Sequence, residues 1–227
     1  MNPKLLHETM YGSLHRERIP DNMIEKSESF LQRMSFHMRY MHPVTVSYFS
    51  DSLVLSANVD DPIASQTILE LLAKLSIKLW DEHKLLLRGG ISLGALVHVE
   101  NGPLFGPAMN KAYYLESKEA NTPRIIFDQN AIEAYRNVNT FEILEPLIKS
   151  DANYSYMSLP SCFNYITTSS TLAFSESEQL KTVKLAESFL LENIEQIICN
   201  NPPERIKYKY EWLRQETLKF RPSLSSA

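Results

Sequence analysis

The sequence predicts an α+β or mixed α/β domain built around one sheet. Three observations carry this. Helical and strand-like patterns alternate along most of the chain and give way to a purely helical last fifth. Hydrophobic residues make up 44% and charged residues 22% of 227 residues, values of a globular chain long enough to bury a sizeable core. Only six residues are glycine, about a third of the usual ~7%, and five of them (Gly89, Gly90, Gly94, Gly102, Gly106) fall between residues 89 and 106.

Residues 1–21 are polar and irregular, with Pro3, Gly12 and Pro20 as breakers. Asn22 to Met41 reads as a helix, since Ile24, Leu31, Met34, Met38 and Met41 share one stripe at helical spacing. Pro43 stops it. Val44 to Asp51 is β-branched, aromatic and alternating, and Ser52 to Asn58 reads as a second strand. Phe49-Ser50-Asp51-Ser52 then lies at a hairpin tip. Asp61 and Pro62 form a helix start, N-cap followed by proline at the first position. Ala64, Ile68, Leu71, Leu72, Leu75 and Leu79 line one face of that helix to about His83.

Leu85 to Val99 reads as a long apolar strand broken by the first three clustered glycines. A loop over 102–107 follows, and Pro107 opens a short helix to about Lys118. Pro123 to Asp128 reads as a strand and Gln129 to Asn137 as a short helix. Phe141 to Ile148 and Tyr154 to Leu159 read as further strands. Ser175-Glu176-Ser177-Glu178 is a capping box for a helix carrying Leu180, Val183, Leu190, Ile194 and Ile197. Cys199 lies on its apolar face and is expected in the core. Pro202-Pro203 separates it from a last helix carrying Ile206, Tyr210, Leu213 and Thr217, with Trp212 beside them. The organisation is thus a segment and helix over 1–43, a core over 44–168, and a helical extension of the same domain over 169–227.

The net charge of −4 gives no electrostatic reason to expect a nucleic acid or an anionic membrane as partner. There is no apolar run of membrane-spanning length and no signal-peptide pattern. Two cysteines, Cys162 and Cys199, exclude a disulfide framework and suggest a reducing compartment; a cytoplasmic location is expected. The six histidines show no zinc spacing, and no Gly-x-Ser-x-Gly is present. Ala95 and Leu96 follow Gly94 where a P-loop requires Lys and Ser or Thr.

Three candidates remain, each with two roles open. The glycine cluster is either a kinked strand packed tightly under a helix, or a strand and loop that a nucleotide approaches closely. Asp51 is either a turn aspartate making a local hydrogen bond or a carboxylate placed to hold Mg²⁺ together with substrate phosphates. Arg88 lies in an apolar strand and must be paired, either in a structural salt bridge or by a base or phosphate.

Taken in order, Phe49-Ser50-Asp51-Ser52, a long helix, Arg88-Gly89-Gly90-Ile91-Ser92-x-Gly94, Phe105-Gly106-Pro107-Ala108-Met109-Asn110-x-Ala112-Tyr113-x-Leu115-Glu116 and Pro123-Arg124-Ile125 resemble the class III nucleotidyl cyclases. The spelling is similar to the bacterial pyrimidine (uridylate and cytidylate) cyclases of the Pycsar anti-phage systems. Lys207-x-Lys209-Tyr210-x-Trp212-Leu213 resembles their tail. The likeness covers roughly residues 44–128 and the tail. It implies a ferredoxin-like, antiparallel-type sheet with helices on one face, followed here by the C-terminal helical pair. It also implies a head-to-tail homodimer, and cyclisation of a nucleoside triphosphate to a 3′,5′-cyclic monophosphate with loss of pyrophosphate.

In that family two aspartates hold two divalent ions, Mn²⁺ or Mg²⁺, and the hairpin-tip aspartate matches Asp51. The resemblance further assigns Asn110 to steadying ribose or triphosphate, Arg88 to a base or phosphate contact, and Gly89, Gly90 and Gly106 to close approach of substrate. Departures bear on substrate. Ser47 stands where purine cyclases read the base with Lys, Pro103 where they use Asp, and Tyr114 where they carry the Arg that steadies the transition state. With Tyr48 adjacent, Ser47 and Tyr48 are the expected base contacts for a smaller, pyrimidine base. Strand parity puts Ser47 on the face of Asp51 and Tyr48 on the opposite one. Residues 1–21 carry no Ile/Val-rich strand with the other aspartate. Either Met1 lies inside the family domain and the first strand is missing, or half the metal site has been lost. In the latter case the chain is a degenerate cyclase fold that binds nucleotide or dimerises without turnover.

Overall fold

The computed structural model describes residues 44–49, 52–100, 102–137, 141–168 and 178–220. The helix expected over 22–41, its methionine stripe, the tip residue Asp51 and the first three residues of the 175–178 capping box lie outside them.

Strands β1 (Thr45–Phe49) and β2 (Ser52–Ser56) pair antiparallel, from Thr45↔Ser56 to Phe49↔Ser52. One face of this hairpin carries Val46, Leu53 and Leu55 onto the core. Helix α1 (Pro62–His83) begins where the sequence predicts. The Asp61 carboxylate accepts from the N–H groups of Ile63 (3.1 Å) and Ala64 (2.9 Å), satisfying two of the helix's orphan donors. It ends at Lys84, in the left-handed region at φ 55°, whose N–H donates to the Trp80 carbonyl.

The main sheet has the order β3 (Gly89–Ile91), β6 (Arg124–Phe127), β8 (Ser155–Ser158), β7 (Lys149–Ser150). β3 runs parallel to β6, whereas β6–β8 and β8–β7 are antiparallel. The sheet is therefore mixed rather than antiparallel throughout. It is also covered on both faces, not one. Ile125, Phe127 and Met157 meet α1 and α5 (Leu159–Thr168), while Ile126 and Tyr156 pack against Leu115 and Trp212. The architecture is α+β, with small mixed sheets and a helical majority.

The expected long strand over 85–99 is paired to the main sheet only at Gly89–Ile91. Beyond it the chain is held by a helix instead of a ladder. The Ser92 hydroxyl donates to the Ala108 carbonyl (2.6 Å), and Ala108 N–H donates to Ala95 (3.3 Å). The chain then forms a small arm, β4 (Val97–His98), near the end of the expected strand, against β5 (Leu104–Phe105), inside the region expected to be a loop. Helix α2 (Pro107–Tyr114) follows and continues as a π-helical turn over Leu115–Glu119, which buries Leu115 and Glu116.

Helix α3 (Gln129–Arg136) matches expectation. The strand expected over 141–148 is a helical turn, α4 (Phe141–Leu144), running into a 3₁₀ turn over Glu145–Leu147. Pro146 cannot donate to a ladder, and Leu144 and Leu147, three apart, are buried together as on one helical face. The C-terminal helices are α6 (Glu178–Ser188), α7 (Leu190–Cys199) and α8 (Glu204–Phe220). Cys199, expected in the core, is exposed at the end of α7. The Arg124 guanidinium lies over the Tyr156 ring (5.0 Å) and the Trp212 ring (6.0 Å) and pairs with Asp151. The Tyr156 hydroxyl donates to Glu216 (3.0 Å), so α8 is pinned to the sheet by polar as well as apolar contacts.

Candidate functional site

A cleft of about 680 Å³ opens between β2 and β3, within the range of small-molecule sites. Its walls come from distant parts of the chain. Residues 52–56 form one side, Gly89–Gly94 the other, and Ala112, Tyr113 and Glu116 close one end. Ile68 and Leu72 of α1 contribute apolar surface.

Gly89 and Gly90 line this cleft; Gly106 does not. A Cβ on Gly90 would stand 2.4 Å from the Ala112 carbonyl oxygen and 2.7 Å from Leu115 Cβ. Its bareness is therefore used by the backbone of α2. Gly106 has φ +149°, and a Cβ there would come within 2.5 Å of the Ala95 carbonyl oxygen. The close approach that these two glycines permit is made by the chain itself. At Gly89 a Cβ would meet only the Ile125 side chain at 3.5 Å, an ordinary contact.

Ser47 is buried at 8% exposure and does not line the cleft. Tyr48 is 39% exposed, also away from the cleft, and on the other face of β1. Arg88 donates through Nε to Glu116 Oε1 (2.8 Å) and pairs with it again through its terminal nitrogen. Arg88 is thus engaged behind the cleft, whereas its partner Glu116 faces the cleft. Lys209 of α8 is buried beside this pair. Burial, and then the positive charges of Arg88 and Arg205, push its pKa down to about 8. Asn110 sits exposed on α2, outside the cleft lining. Asp51 lies outside the described residues.

Two residues that sequence reasoning did not single out meet at this site. His98 Nδ1 lies 2.7 Å from Ser56 Oγ, and its Nε2 lies 2.8 Å from Ser47 Oγ. The ring thereby ties the β4–β5 arm to the polar face of the β1–β2 hairpin. Burial lowers the His98 pKa, so the ring is neutral near pH 7. The signal in the sequence was a lone polar residue in Val97-His98-Val99, a histidine that needs a partner wherever such a strand is covered.

No family model, no curated protein and no solved structure matches this chain. Its chemistry therefore rests on the site alone. Among the described lining residues Glu116 is the single charged side chain, with no Lys or Arg beside it. No group of three His, Cys, Asp or Glu side chains suited to a metal ion occurs among the described residues. The described part of the cleft offers mainly apolar surface with a few hydrogen-bonding groups, and it does not complete a metal site. Among the described residues no helix is long and apolar enough to cross a membrane.

Proposed function

We propose that the chain is a class III cyclase-like protein. Its cleft takes a pyrimidine nucleoside triphosphate, which is converted to a 3′,5′-cyclic monophosphate and pyrophosphate. One observation carries this reading: Ser52 and residues from two further segments that resemble the family, 88–94 and 105–116, line a single cleft of nucleotide size.

In the reaction the ribose 3′-oxygen bonds to the α-phosphorus, the bond to the β-phosphate oxygen breaks, and the hydroxyl proton leaves to water. The chain's own part is positional. Apolar surface from Ile68, Leu72 and Leu55 excludes water from one side of the ligand. The serine hydroxyls supply hydrogen bonds to a neutral base. With no cation in the described lining, Asp51 would hold the divalent ion, Mn²⁺ or Mg²⁺, that would offset charge on the phosphates. Asn110 projects from outside the cleft, so it contacts substrate only if that substrate is held by a second copy, in keeping with a homodimer. A cytoplasmic role in anti-phage signalling completes this reading.

A second reading, nucleotide binding or dimerisation without turnover, is favoured by the lack of Lys and Arg among the described lining residues. One assay separates the two. The protein is incubated with Mn²⁺ and each of the four nucleoside triphosphates, products are scored by mass, and binding is measured in parallel. A cyclic pyrimidine product that is lost in a folded Asp51→Asn variant supports the enzyme. Binding without product supports the module. Neither binding nor product sinks both.

A further inference from the structure

We infer that Ser56 and His98 form the base-reading edge of the cleft, and that the tautomer of the His98 ring selects between uracil and cytosine. This rests on the nucleotide reading above and moves the base contact away from Tyr48.

Most other polar groups in the lining are engaged with the protein itself. Ser92 donates to the Ala108 carbonyl (2.6 Å), the Tyr135 hydroxyl donates to the Ser65 carbonyl (3.1 Å), and Glu116 holds Arg88. Ser56 differs in that its partner is a ring nitrogen, His98 Nδ1, which can either donate or accept. Ser56 and His98 both line the cleft, and the other ring nitrogen is held from behind by Ser47, which is buried and outside the lining. Tyr48, on the other face of β1 and exposed, cannot share this edge.

A hydroxyl has one donor and two acceptor sites, and a neutral imidazole has one of each. If Nδ1 carries the proton, it donates to Ser56, and the Ser56 O–H is free to donate to the ligand. That matches the 4-carbonyl oxygen of uracil. If Nε2 carries the proton, it donates to Ser47, and Nδ1 accepts the Ser56 O–H. Ser56 then shows the ligand only lone pairs, which match the 4-amino group of cytosine. A neutral ring near physiological pH, kept so by burial, preserves this two-way distinction. A single misplaced donor in this partly buried site leaves a polar group unpaired, which on general grounds separates the two bases by about tenfold.

The test uses the full chain with ¹⁵N-labelled histidine and four probes: uridine, cytidine, UTP and CTP. Nitrogen shifts report the His98 tautomer, and titration reports affinity. The nucleosides examine base reading independently of phosphates and metal. We expect His98 shifts to move on binding, with uridine preferred if Nδ1 is protonated and cytidine if Nε2 is. Ser56→Ala should bring the preference close to unity while far-UV circular dichroism is unchanged. Binding without movement at His98, or a preference opposite to its tautomer, overturns the inference and leaves the nucleotide reading in place. The same holds if a folded Ser56→Ala keeps the preference. Binding of none of the four probes overturns both.

Discussion

The two sides of helix α1 are built on different rules. On one side Leu69 and Trp80 belong to the same core as Phe163 and Tyr165 of α5, all of them fully buried large side chains. On the other, Ile68 and Leu72 look into a cleft whose far walls hold Gly89, Gly90, Ala112, Ala131 and Ala134. Large residues interdigitate to native density and leave no room. Small residues bring backbones close at a few points, as Gly90 does under α2, and leave open space around them. The cleft follows from where the chain spends its small residues, and those residues are structural even where they border the site.

Substitutions on the two sides sharpen this contrast. Phe163→Ala, on the packed side, should cost about 3–5 kcal/mol in denaturant unfolding. A loss under about 1 kcal/mol would mean that the α1–α5 interface is not the stabilising core. Gly90→Ala drives a methyl into the Ala112 carbonyl and should cost about 1–3 kcal/mol. Asp61→Ala removes the α1 cap and should cost about 1 kcal/mol by the same measurement.

His98 provides a pH test on the cleft side. Burial depresses its folded pKa below the ordinary value of about 6.5. Its contribution to stability is therefore complete above that pH and is lost as pH falls through the lower folded value. His98→Gln should flatten the slope of stability against pH below about 6.5, read as thermal midpoints across a pH series. An unchanged slope would show that other groups dominate there. The smallest effect belongs to Gly89→Ala, within about 0.5 kcal/mol, because the added methyl meets only ordinary van der Waals contact.

Local signals were legible in the sequence. Asp61-Pro62 placed the start of α1 to the residue, and the alternation in 44–49 and 52–56 placed the hairpin. Where the decisive contact was distant, pattern alone misled. Phe141 to Ile148 looked like a strand, but the turns there are set by Pro146 and by the core that receives Leu144 and Leu147. Helix α5 follows β8 directly, and Leu159, Phe163, Tyr165 and Ile166 are buried around most of its circumference, so no amphipathic stripe marked it. Glycine clustering located one wall of the cleft without telling packing from ligand approach. The serine partners of His98 lie 42 and 51 residues away in sequence, and nothing local to Val97-His98-Val99 named them.

Amide hydrogen exchange on the full chain, with and without UTP or CTP in the presence of Mn²⁺, tests the central claim most directly. Slowed exchange at Leu53–Ser56 and Gly89–Ser92 together, with the α1–α5 interface unchanged, is the predicted result. Unchanged exchange at both segments, with either nucleotide at saturating concentration, would contradict it.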